Sequence, residues 1–176
     1  MTKTRLALAC VLCLGIVSPI RADHDSLVKF DGGIGVIPVS NVAVNAATGV
    51  VTVSRNIVRD VNPPGQIWVI KSLKADIGND GSIKVRGRGL LLGGGNNIGL
   101  NANQRVFATL ICSAAAPFTQ FSTPSTGVAL EPNGDFAIDD TLTPAPPADC
   151  VSPVLLIRNP GGVWFAAGIL KLDNDK

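Results

Sequence analysis

Three acidic side chains, Glu131, Asp135 and Asp139, recur at every fourth position around the turn signal Pro132-Asn133-Gly134. In a hairpin, alternation puts all three on the face opposite Phe136 and Ile138. Carboxylates a few ångströms apart can divide acid and base roles in glycoside hydrolysis, or hold Ca²⁺. The same pattern also describes a solvated acidic face at a hairpin tip. A second set is cationic: Lys84, Arg86 and Arg88 alternate with Ile83, Val85 and Gly87. As a strand they form one outward stripe, suited either to binding an anion or to protecting an edge. The surrounding run VRGRGLLLGGGNNIG is not a phosphate cradle. Its glycines lead into Leu90-Leu91-Leu92 rather than a helix start, and no G-K-[ST] ending follows.

Several chemistries lack their residues. The only histidine is His24, near the expected start of the mature chain, so a triad has no dependable base. Blue-copper and catalytic zinc sites need at least two histidines. Tyrosine is absent. Asp140-Thr141-Leu142 lacks the glycine of an aspartic-protease motif. Asp76 to Gly81 starts like an EF-hand, but Gly87 stands where the twelfth-position glutamate belongs. Trp68 and Trp164 sit inside the apolar runs QIWVI and GVWFAA, which reads as core rather than as a sugar platform. No catalytic residue, metal ligand or cofactor is assigned.

The N-terminus explains the redox setting. A cationic start, the apolar run Leu6 to Val17 and Ala22 predict a Sec-type signal peptide over residues 1–22. Twelve apolar residues are too few for the ~20 of a spanning helix, so the mature chain is expected to have no membrane span. Removing 22 of 176 residues leaves 154, enough for one domain over 23–176, with 23–33 as a flexible arm. Lys3, Arg5 and Arg21 leave with the leader, so 12 basic residues face 13 acidic ones. That balance gives no global field for nucleic acid. Cys112 and Cys150 remain as an isolated pair, predicted to form one disulfide in an oxidising compartment. On the chain-entropy model it contributes on the order of 4 kcal/mol.

The elements that must position these residues are strands. Short runs rich in valine and isoleucine alternate with Gly, Pro, Asn and Asp turns throughout the mature chain. One hairpin is predicted to pair Ile77 with Ile83, Ala75 with Val85 and Leu73 with Gly87. A second is predicted to pair Leu130 with Phe136 and Val128 with Ile138. A third has Pro160-Gly161 as a type II turn, between strands apolar on both faces. The expected fold is all-β: a single-domain antiparallel β-sandwich, Ig-like, with seven to nine strands and one disulfide. A small β-barrel is the alternative. The runs IKVRGRGL and NGDFAIDDTL resemble strands of bacterial secreted Ig-like domains, which implies the same architecture.

The function expected is that of an exported, non-catalytic binding or structural protein of the cell envelope or extracellular space. Its partner would be a protein or a glycan, with oligomeric state open. Two other readings stand beside it. One is a hydrolase or metal-dependent enzyme on the Glu131/Asp135/Asp139 face. The other is a secreted inhibitor or effector acting through the disulfide-closed loop 113–149.

Overall fold

The computed structural model describes residues 25–172. The leader expected over residues 1–22 and His24 lie outside the described residues. Within them the chain is all-β and antiparallel, with 13 strands and no helix, hence none long and apolar enough to cross a membrane. Nine strands form the main sheet. In spatial order they are β10 (Val128–Ala129), β8 (Arg105–Ile111), β12 (Val154–Arg158), β13 (Trp164–Leu170), β1 (Ser26–Gly35), β5 (Ser72–Gly78), β6 (Ser82–Arg88) and β11 (Phe136–Thr141). The ninth, β9 (Gln120–Ser122), pairs with β8 on the same edge as β10.

The two ends of this sheet meet. Ser122 N–H donates to the Thr143 carbonyl at 3.1 Å, and Thr143 N–H returns the bond to Ser122 at 2.8 Å. The sheet is therefore a nearly closed barrel, the second of the two architectures open from sequence. Four further strands form ribbons outside it: β2 (Val39–Val44) with β3 (Val51–Arg55), and β4 (Trp68–Val69) with β7 (Leu91–Leu92).

Alternation fills the interior. Ile83 and Val85 of β6 and Leu73 and Ile77 of β5 are fully buried, while Lys84, Arg86 and Arg88 face out. Trp68 and Trp164 are core residues as expected, and Trp68 stacks on Phe165 with centroids 4.1 Å apart. β12 buries Leu155, Leu156 and Ile157 on both faces, as its unbroken apolar run implies. Its Arg158 caps the outer side, donating to Gln120 Oε1 (2.6 Å) and to the Gly162 carbonyl (2.8 Å) over the Phe107 ring. Burial lowers the Arg158 pKa below the ordinary arginine value. The disulfide Cys112–Cys150 forms as predicted.

Four expectations change. The flexible arm is a strand over its described part: β1 lies between β13 and β5 and buries Phe30. A bulge at Asp31-Gly32 lets β1 pair with β5 through its first half and with β13 through its second. The β5–β6 hairpin keeps its predicted register, with Gly81 at φ 82°. The second hairpin keeps only its turn. Glu131 N–H bonds the Asp135 carbonyl at 2.9 Å, but β10 then joins β8 and β11 joins β6. In the third, Gly162 rather than Gly161 takes positive φ (85°), so the turn is a type I turn closed by a bulge. The loop 113–149 does not project as a unit either, because it supplies β9, β10 and β11 to the barrel wall.

Candidate functional site

β6 is an interior strand, paired with β5 on one side and β11 on the other. The stripe Lys84, Arg86 and Arg88 therefore protects no edge. Cross-strand registers place its neighbours in rows. Lys29, Asp76, Lys84 and Asp139 make one row of alternating sign, with Lys29 3.9 Å from Asp76. Opposite charges in adjacent positions offset one another there. The next row runs Asp31, Lys74, Arg86 and Ala137; Lys74 is held by Asp31 at 3.3 Å. Arg86 thus meets an alanine where a carboxylate would continue the alternation. It donates to the backbone carbonyls of Val85 (3.0 Å) and Ile138 (3.4 Å) through one nitrogen, which leaves the rest of the fork outward. Arg88 lies opposite Ser72, with no acid beside it on β5.

The parting of β10 from β11 opens a depression of about 450 Å³ beside these two arginines. Val128, Ala129, Phe136 and Ala137 give it an apolar side; Arg86, Arg88, Glu131 and Asp135 give it charge. Two of these charged groups are tied to backbone, Arg86 as donor and Asp135 as acceptor. Asp135 accepts the Gly89 N–H at 3.0 Å through Oδ1, and Gly134 O accepts Leu90 N–H at 2.9 Å, which pins the turn to the end of β6. Asn101 donates to the carbonyls of Leu130 and Glu131, both at 3.0 Å, and fixes the other side of the tip.

The sequence-predicted groups are thus redistributed. Two of the three carboxylates and two of the three cations converge, from what sequence treats as separate candidates. Asp139 lies outside this depression, directly across from Lys84. Lys84 belongs to a second depression of about 320 Å³, together with Lys29, Lys74, Lys171, Asp31 and Asp76, and Arg86 borders both depressions. Among the described residues, no three His, Cys, Asp or Glu side chains converge as a metal site would require. Asn101 and the apolar side from β10 are invisible to sequence reasoning, because both depend on β10 choosing β8 as its partner.

Chemically, a paired guanidinium face recognises a planar or tetrahedral anion, and the Glu131 carboxylate can accept hydrogen bonds from hydroxyl groups. The site can therefore hold a ligand that carries an anionic group and hydroxyls on one small frame. No protein-family model, no curated protein and no solved structure matches this chain.

Proposed function

We propose that the protein is an exported, non-catalytic binding module for acidic glycans, with the Arg86/Arg88/Glu131/Asp135 depression as its site. The observation that carries this reading is the convergence of Arg86 and Arg88, which form no salt bridge among the described residues, with Glu131 and the backbone-anchored Asp135 beside an apolar surface. The arginine fork would take the carboxylate or sulfate of one sugar unit, and Glu131 the ring hydroxyls. An apolar flank suits the C–H face of a sugar ring. The tie from Gly89 N–H to Asp135 Oδ1 supports a positioning role for this carboxylate, and with it binding rather than turnover. The disulfide and the signal-like start of the chain support an extracytoplasmic location.

Titration calorimetry against a polyuronate, a sulfated polysaccharide and a neutral glucan tests the proposal. The acidic polymers should bind and the glucan should not. Arg86→Ser with Arg88→Ser should weaken binding at least ~10-fold, whereas Lys84→Ser, flanked by Asp76 and Asp139, should change it less than ~2-fold. Equal affinity of the double variant and the parent protein would refute the site. Release of reducing ends from the polymer would refute the non-catalytic assignment.

A further inference from the structure

The hairpin tip closes one rung and then opens. Glu131 N–H bonds the Asp135 carbonyl at 2.9 Å, and the next hydrogen-bonded rung in that register would join Ala129 to Ala137. It does not form, because β10 follows β8 and β11 follows β6. The alternation of each ladder fixes where the backbone groups point. In β10, Leu130 N–H donates to Gln104 O at 3.0 Å, so Val128 and Leu130 face β8 and Ala129 faces the other way. In β11 and just beyond it, Leu142 N–H donates to Gly81 O at 2.9 Å, while Thr143 exchanges bonds with Ser122 across the seam. Phe136, Ile138 and Asp140 therefore turn their backbone groups to β6, and Ala137 turns its own toward β10. The N–H and C=O groups of Ala129 and Ala137 have no partner among the described residues. Both alanines are exposed, and both line the arginine depression.

Two donor–acceptor pairs that face each other select what lies between them. A carboxylate only accepts, so it leaves the two carbonyls unmet. A hydroxyl presents a single atom and cannot serve both sides. A secondary amide is trans, with N–H and C=O pointing opposite ways. It donates to a carbonyl on one side and accepts an N–H from the other. The small side chains of the two alanines leave the rung accessible, and Val128 and Phe136 give the depression an apolar lining for a methyl group. Arg86 is the register partner of Ala137, so an anion on its fork lies one strand spacing, about 5 Å, from the open rung. We infer that the site takes glycans in which an acidic sugar neighbours an N-acetylated one, the acetamido group filling the Ala129/Ala137 rung, an inference that rests on the acidic-glycan reading of this depression.

Calorimetry and proton–nitrogen correlation spectra with two ligands test this. One is a hyaluronan oligosaccharide, in which a uronate alternates with N-acetylglucosamine; the other is an oligogalacturonate with the same number of carboxylates and no amide. The N-acetylated ligand should bind at least ~10-fold more tightly, and it alone should move the Ala129 and Ala137 amide resonances. Ala137→Pro removes an N–H that faces the seam and no ladder bond to β6, so the variant should keep the parent circular dichroism and the Cys112–Cys150 bond. It should lose at least ~10-fold in affinity for the hyaluronan fragment and less than ~2-fold for the oligogalacturonate. Equal affinities of the parent protein for the two ligands overturn the inference and leave the acidic-glycan site standing, as does an equal loss for both in folded Ala137→Pro. Binding of neither ligand removes that site and the inference with it. Should Ala137→Pro misfold, the parent protein decides: Ala129 and Ala137 amides that stay unmoved at saturating hyaluronan fragment overturn the inference.

Discussion

Gly87 shows how one residue can be legible in type but not in cause. Its place in the alternating run of β6 marks it as inward-facing, and a small residue there reads as a close approach. The structure supplies the neighbour: Gly87 pairs with Phe136 across β6–β11, and a Cβ would overlap the Phe136 ring. The aromatic covers the space that the glycine leaves. Gly87→Ala should therefore destabilise the fold by about 1–3 kcal/mol, measured by denaturant unfolding. In a Phe136→Leu background, the added methyl should cost under about half of that, because the ring is gone. Additive costs would show that backbone strain, not the ring, is responsible. Asp135 is the opposite case. The turn beside it marks it as a candidate carboxylate, but its anchoring to Gly89, 46 residues away, is not legible in the sequence.

Turns and registers closed by local sequence were readable; the choice of strand partner was not. The β5–β6 hairpin follows from two alternating runs and a glycine at the turn, all within a few residues. The Pro132-Asn133-Gly134 turn was equally visible, yet its strands leave each other after one rung, because β8 and β6 offer edges that no local pattern encodes. β1 escaped notice for a related reason: the bulged KFDGGIG interrupts the alternation on which a strand is recognised. The disulfide acts on this level. Cys112 follows the end of β8 and Cys150 precedes β12, so the bond closes the segment that carries β9, β10 and β11. Replacing both cysteines with serine should cost on the order of 4 kcal/mol. Amide exchange should quicken first at Ser122 and Thr143, whose mutual bonds join the sheet's ends beside the disulfide-closed segment, while the β5–β6 amides stay protected longer. Uniform loss of protection would mean that the barrel opens as one unit.

Across the whole molecule, near-balanced charge means that any attraction for a polyanion is local rather than a field of the entire surface. Of the outer cations on this side, Lys29 and Lys74 have carboxylate partners, and Lys84 stands between Asp76 and Asp139 in register. Lys171 lies with these lysines in the second depression, so in the first depression Arg86 and Arg88 are what remains. If these two alone displace counterions from a linear polyanion, log affinity should fall against log salt with a slope of about −2. A slope steeper than about −4 would instead bring in the lysine-lined depression of Lys29, Lys74, Lys84 and Lys171. Affinity measured at several salt concentrations separates the two, and Arg86→Ser should remove about one unit of slope in the first case.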